Sequence, residues 1–216
     1  MISTSIEKLD NFLGGGIKDG IITDIFGPNG TGKTQFLIQI SINCLQQGGC
    51  VYFQDTTGEF RPERMLEVMK NYNLNHSLMD KVIVSRITNS AEQIKALSKI
   101  SESNFDLIVI DNITDLFSFE YSKDELSLEK NLTFMKYMHE LSKITIQNNI
   151  PVVITNMIRN TNQNETENLE KSINIFTHTK IKLSKNGNKY TGIVYSPFSE
   201  NTFNYNISSY GLKNLS

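Results

Sequence analysis

The sequence predicts an α/β fold: a mostly parallel central sheet flanked by helices, with an antiparallel hairpin extension near the C-terminal end. Three observations carry that expectation. Short apolar runs alternate with helical patterns from residue 21 to residue 155. A glycine-rich turn joins the first apolar run to the first long helical pattern. After Phe176 the apolar period changes from that of a helix to two. A chain that alternates strand and helix makes right-handed crossovers and buries a parallel sheet on both faces.

The elements follow in order. Ile21 to Phe26 is a short apolar strand, and Gly27 opens the turn. Thr34 to Gln47 carries Leu37, Ile40 and Cys44 at i, i+3 and i+7, an amphipathic helix that Gly48-Gly49 ends. Cys50 to Gln54 is the second strand. Pro62 suits the first turn of a helix through Tyr72. Lys81 to Ile87 reads as a third strand and Ala91 to Ser101 as a helix. Phe105 to Ile110 is the continuous apolar run of a strand buried on both faces. Leu128 to Asn148 is a long helix, and Ile150 to Thr155 another buried strand.

Beyond Phe176, Thr177, Thr179, Ile181 and Leu183 alternate with Phe176, His178, Lys180 and Lys182, and Asn186-Gly187 turns the chain. Tyr190 to Tyr195 should return, and Phe203 to Ile207 adds a last strand. The expectation is a single domain over residues 1–216, with the antiparallel extension at about 176–210. Two polar stretches interrupt the pattern, Ser118 to Ser127 and Arg159 to Ser172. The second, rich in Asn and Glu, is expected to be a mobile loop.

Composition narrows the function. With 216 residues, 38% hydrophobic, the chain can bury a sizeable core. The formal net charge of -2 gives no global attraction to nucleic acid or anionic membrane, so any DNA contact needs a local basic patch. No apolar run is long enough to span a bilayer, and the start lacks the pattern of a signal peptide, which suggests a cytoplasmic protein without a membrane partner. Cys44 and Cys50 show no ligand spacing and read as reduced core residues. His76, His139 and His178 lie far apart and read as structural or surface residues.

The strongest chemical signal is Gly27-Pro28-Asn29-Gly30-Thr31-Gly32-Lys33-Thr34, which fits GxxxxGK[ST] between a buried strand and an amphipathic helix. Glycines let successive backbone N–H groups face phosphate oxygens, and the following helix offers its positive end. The expected nucleotide-binding set is Gly27, Pro28, Asn29, Gly30, Thr31, Gly32, Lys33, Thr34 and Gln35. Lys33 reaches the β and γ phosphates and takes a catalytic role, while Thr34 offers its hydroxyl to Mg²⁺. Asp111, which ends Leu107-Ile108-Val109-Ile110, is the expected acid partner and the second Mg²⁺ residue. The cofactors expected are therefore ATP and Mg²⁺.

Several stretches together resemble the RadA/RadB branch of the RecA-type recombinase ATPases. The opening ISTSIEKLDNFLGGGIKDGIITDIFG is similar to the start of that family's catalytic core. DTTGEFRPER resembles its DTEGTFRPER, LIVIDNITDLF its second nucleotide motif, and VVITNMI its VVVTNQV. The Ser196-Pro197 segment and closing strands resemble its C-terminal end. The resemblance covers nearly the whole chain and implies a RecA-type P-loop core. Met1 falls where the catalytic core begins, which would omit the DNA-binding N-terminal domain and polymerisation segment of RadA. On that ground the resemblance is nearest to the archaeal RadB paralogues.

By this resemblance the family's catalytic glutamate falls on Thr57, which cannot accept a proton from water near neutral pH. Glu59, two residues later, is the substitute if the loop shifts. Asp55 is expected to stay structural at the strand end. The glutamine that senses the γ-phosphate falls on Met157, which lacks a strong hydrogen-bonding group. Arg64, in FRPER, matches the adenine-stacking position; the alternative is that Arg64 and its neighbour Arg61 cap or solvate the helix start. The resemblance therefore implies ATP binding with weak or very slow hydrolysis.

The two loops that contact DNA in the family are acidic here. The first carries Glu120, Asp124, Glu125 and Glu129 against Lys123 and Lys130. The second carries Glu165, Glu167 and Glu170 against Arg159 and Lys171. Lys180, Lys182, Lys185 and Lys189 on the hairpin form the one basic patch, which either touches a phosphate backbone or guards a sheet edge. Phe117, Phe119 and Tyr121 mark either a contact surface or core packing. The implied role is a recombination and DNA-repair accessory that modulates a recombinase or binds DNA. Its expected partners are a recombinase or other repair protein, single-stranded DNA held with weak, salt-sensitive affinity, and a second copy of the chain. The alternative is a nucleotide-gated signalling or assembly module of the KaiC-like or archaellum-associated type.

Overall fold

A computed structural model describes the backbone of residues 1–161, 164–196 and 199–214, and the side chains of these apart from 160, 161, 164, 196 and 199. The Ser196-Pro197 segment expected to resemble the family's C-terminal end thus lies largely outside the described residues. In chain order the elements are α1 (Glu7–Leu13), β1 (Ile22–Gly27), α2 (Lys33–Gln46), β2 (Val51–Asp55), α3 (Pro62–Asn71), β3 (Val82–Arg86), α4 (Ser90–Glu102) and β4 (Leu107–Asp111). There follow α5 (Asp115–Glu120), α6 (Ser127–Gln147), β5 (Val152–Thr161), β6 (Asn164–Glu167), α7 (Glu170–Ile173), β7 (Thr179–Asn186), β8 (Lys189–Ser196), β9 (Ser199–Ser208) and β10 (Gly211–Asn214).

The strands join in the order β10-β9-β8-β7-β1-β5-β4-β2-β3, with β6 paired to β5. From β7 to β3 every pairing is parallel. The strands β8, β9 and β10 extend the sheet by antiparallel pairing, as the change of period after Phe176 predicts. Alternate side chains enter different cores. Val51 and Phe53 of β2 join Leu107 and Val109 of β4 in a core with α1, α2 and α3. Tyr52, Ile108 and Ile110 point the other way, into a core with α5 and α6. Burial on both faces is why these strands read as unbroken apolar runs.

Three features depart from the sequence expectation. The short helix α1 was hidden because its apolar positions are few; Gly14 ends it in a left-handed conformation (φ 74°). Residues 118–127 are not a plain polar loop, since α5 and a 3₁₀ turn at Asp124–Leu126 occupy much of them. The expected mobile loop at 159–172 is, among its described residues, built structure. The strand β5 runs on to Thr161, β6 returns antiparallel with Ile158 opposite Glu167, and α7 follows. Polar composition hid this hairpin because its anchors are buried hydrogen bonds rather than apolar contacts.

Candidate nucleotide-binding site

The carboxyl ends of β1, β2, β4 and β5 converge on one cleft, where open parallel sheets receive ligands. Register sets the alignment: Asp55 of β2 lies opposite Asp111 of β4, and Gly27 of β1 opposite Met157 of β5. A cavity of about 490 Å³ opens there. One side is formed by Asn29, Gly30, Gly32, Lys33, Thr34 and Gln35, the other by Thr56, Thr57, Glu59, Asp111, Asn112, Asp115 and Met157.

The glycine-rich turn has separate duties at its glycines. At Gly27 an added Cβ would lie 2.1 Å from the Leu183 carbonyl oxygen, so this glycine lets β1 and β7 run side by side. Gly30, at φ +75°, faces open space and leaves the loop free on its outer side. The turn closes with Thr31 Oγ1 donating to the Pro28 carbonyl over 2.9 Å. α2 then starts at Lys33 with no side-chain cap and no acidic residue in its first turn. Its leading N–H groups are therefore donors available to an anion, at the positive end of a 14-residue helix.

Lys33 Nζ donates to the carbonyls of Gly27 (2.9 Å) and Pro28 (3.0 Å), folded back over the turn. Burial lowers its pKa, an effect opposed by the carboxylates of Asp111 and Glu59. Thr34 Oγ1 donates to Asp111 Oδ2 over 2.7 Å, and Thr155 Oγ1 donates to Asp111 Oδ1 over 2.6 Å. Burial raises the pKa of Asp111; the two hydroxyls pull it down, and nearby Asp55 and Glu59 add to the rise. A hydroxyl and a carboxylate side by side are hard oxygen donors of the kind Mg²⁺ prefers. The uncapped helix end, the open cleft and this oxygen pair suit a nucleoside triphosphate with its magnesium ion.

At the tip of β2 the chemistry differs. Asp55 Oδ1 accepts from Thr57 N (3.1 Å), Thr57 Oγ1 (3.1 Å) and Gly58 N (2.7 Å), and Arg86 Nη1 approaches it at 3.5 Å. Asp55 organises the turn, as its place at the strand end suggests. The Thr57 hydroxyl is in turn spent on Asp55 while its oxygen accepts from Glu59 N at 3.2 Å. Glu59 reaches the cavity but is solvent-exposed. Met157 lines the cavity from β5, opposite Gly27.

Arg64 does not line that cavity. Its guanidinium is held by Gln35 Oε1, Glu67 Oε2 and the Ser208 carbonyl, each at 2.6 Å. It thus ties α3 to the start of α2 and the end of β9. Arg61 Nη1 donates to the carbonyls of Gly58 (2.7 Å) and Phe60 (3.1 Å) in the turn before α3, and its side chain makes no cap bond to that helix.

The basic patch needs correction. Lys180 Nζ pairs with Asp24 Oδ2 at 3.2 Å and with Glu167, and Lys182 pairs with Glu165 at 3.2 Å. Two of the four lysines are therefore neutralised within the fold, leaving little field for a phosphate backbone. Of the three aromatics weighed as a contact surface, Phe117 is core and only Phe119 stands well out, at 81% exposure.

Sequence reasoning missed two groups here. Asp115 enters the cleft at the start of α5; its signal was a second carboxylate four residues after the strand-end Asp111. Asp24, fully buried in β1, carries a pKa raised well above the usual carboxylate range by burial and by Glu167, with Lys180 opposing. An acid inside an apolar strand run was its only mark.

A mostly parallel sheet with this turn at its first strand and an acid at the end of β4 defines a RecA-type P-loop core. The Rad51 family model matches residues 1–215, and the chain belongs to the Rad51 family. It is 36% identical over 169 residues to the DNA repair and recombination protein RadA of Cenarchaeum symbiosum, covering 73% of this chain and 42% of that protein. It is 35% identical over 170 residues to the DNA repair protein rhp51 of Schizosaccharomyces pombe, covering 73% and 46%. To the Rad51 homolog of Drosophila melanogaster it is also 35% identical over 170 residues, covering 73% and 50%. The chain spans half or less of the length of these curated relatives.

Proposed function

We propose that the chain is an accessory protein of recombination and DNA repair, of the RadB kind, whose core domain binds ATP with Mg²⁺ and hydrolyses it slowly. The observation that carries this reading is the contrast between two sides of one cleft. On the binding side, α2 begins uncapped over the pair Thr34 and Asp111. On the hydrolytic side, Thr57 has a hydroxyl already engaged by Asp55.

In this reading the residues from Gly27 to Gln35 surround the triphosphate. Lys33 leaves the carbonyls of Gly27 and Pro28 to meet the β and γ phosphates, and Thr34 with Asp111 holds the magnesium ion, which screens phosphate charge when bound. Arg64, fixed by Gln35, borders the base. Glu59 reaches the cleft but is solvent-exposed, which leaves no aligned general base on the turn after β2. Lack of an aligned base removes roughly 10²–10⁴ in rate while leaving affinity intact.

The recombination part of the proposal rests on membership of the Rad51 family and on the likeness to RadA and rhp51. The ion pairs that neutralise Lys180 and Lys182 favour an accessory that acts through a recombinase or repair protein over one that grips DNA strongly. Fluorescence anisotropy of labelled single-stranded DNA, titrated over salt with and without ATP, tests this. Weak binding that strengthens with ATP and fades with salt is expected. No binding even at low salt, together with no effect on a recombinase, contradicts it.

A further inference from the structure

We propose that Asp115 is the carboxylate that activates water for the residual hydrolysis of ATP in this chain. The inference rests on the ATP-binding reading above and adds a residue to which that reading assigns nothing.

Among the described residues, four acids lie at or beside the cleft: Asp55, Glu59, Asp111 and Asp115. Asp55 is 4% exposed, and one of its oxygens already accepts from the Thr57 amide, the Thr57 hydroxyl and the Gly58 amide. It holds the turn together and faces no open space. Asp111 is 3% exposed, with one oxygen taken by Thr34 and the other by Thr155. Neither can take a proton from water without giving up bonds that shape the site. Glu59 is unencumbered, but it is solvent-exposed on a turn, where nothing holds its carboxylate in one place.

Asp115 differs from all three. It lines the same cavity as Lys33, Thr34 and Thr57, is half-buried, and has no hydrogen-bond or ion-pair partner for its carboxylate among the described residues. Its backbone is firmly placed. Asn112, in the left-handed conformation at φ 64°, turns the chain directly after β4. The Asn112 amide accepts from Thr114 N at 3.3 Å, and Thr114 Oγ1 donates to Asn156 Oδ1 at 2.6 Å. Leu116 and Phe117 anchor the next residues in the cores. A carboxylate on a fixed backbone, short of partners and facing a phosphate-sized cavity, meets the geometric requirement for a base better than a mobile one does.

The step balances. Water oxygen bonds to the γ-phosphorus, and the bond from that phosphorus to the β,γ-bridging oxygen breaks, with ADP leaving on the electron pair. The proton lost by water passes to Asp115 and then to solvent.

The test uses the full chain with Mg²⁺ and ATP. Nucleotide affinity is read with a fluorescent ATP analogue, and hydrolysis by single-turnover release of labelled phosphate. Asp115→Asn should bind the analogue within about twofold of the native chain and lower the hydrolysis constant by about 10²-fold, the usual contribution of a positioned base. Asp115→Ala should be equally slow, and added formate should restore part of its rate, which a purely structural role would not allow. Unchanged hydrolysis in Asp115→Asn overturns the proposal while ATP binding stands, as does native hydrolysis no faster than that of Lys33→Ala. If the native chain fails to bind the analogue, the ATP-binding reading itself falls and Asp115 with it.

Discussion

The Thr57 hydroxyl donates to Asp55 Oδ1 over 3.1 Å, so the side chain at the tip of β2 is turned into the scaffold of its own loop. A glutamate at this position could not make that bond, because two carboxylates would then face each other. Asp55 would still hold the turn through the amides of Thr57 and Gly58. Thr57→Glu is therefore expected to keep the loop register and to raise single-turnover ATP hydrolysis by about 10²-fold. Unchanged turnover in a folded variant counts against the assignment of position 57.

Lys33 has two carbonyl partners, Gly27 and Pro28, both within the turn. Truncating it removes a half-buried amine rather than a pillar of the core. Lys33→Ala should leave the thermal midpoint within a few degrees of native and weaken ATP binding by at least about tenfold, measured by calorimetry. Retained affinity would separate the turn from the phosphates.

Gly27 makes the opposite prediction. Its missing side chain is a packing requirement, with the Leu183 carbonyl 2.1 Å from where a Cβ would stand. Gly27→Ala should destabilise the fold by about 2–4 kcal/mol in urea titration, because backbone of both β1 and β7 must move. An alanine accepted at no loss of stability contradicts the strand packing described.

Lys180, half-buried, sits between the buried carboxylates of Asp24 and Glu167. Burial alone would lower the lysine's pKa, but the two carboxylates more than offset this and raise it. Its stabilising effect is thus present below its ordinary pKa and is lost only as pH rises through the raised value. Asp24 has the reverse problem: its pKa is raised, so its protonated form favours folding and its ionised form opposes it as pH rises. Without Lys180 that opposition grows. Lys180→Met should lose about 3–5 kcal/mol near neutral pH and recover part of the loss at about pH 5, where the carboxyls take up protons. A loss independent of pH would show that packing, not charge, dominates there.

Sequence legibility followed the physics of each element. The parallel strands were readable because burial on both faces demands unbroken apolar runs such as Leu107 to Ile110. The turn from Gly27 to Thr34 was legible as a turn between strand and helix from its spacing, and the structure places Asn29, Gly30, Gly32, Lys33 and Thr34 of it beside Asp111 in one cleft. The β5–β6 hairpin was not. Its buried anchors are Asn156, whose Nδ2 donates to Glu167 and to the Asn168 carbonyl at 2.7 Å each, and Asn168, whose Nδ2 donates to Thr114 and Ser118. Asn and Glu read as solvent-loving until the fold supplies partners 11 to 54 residues away. Lys180 was misread for the same reason: its charge is visible in sequence, but the buried Asp24 that answers it sits opposite it on the neighbouring strand β1, far off in the chain. Asp115 needed the cleft itself, since only the register of β4 beside β2 brings it toward Thr57.

Single-turnover hydrolysis of ATP by the native chain, run beside equilibrium binding of the same nucleotide and beside a RadA that keeps its glutamate, weighs the account most directly. Saturable, magnesium-dependent binding with a hydrolysis constant at least about 10²-fold below that of the RadA is the expected pair of results. Hydrolysis as fast as the RadA's would contradict it.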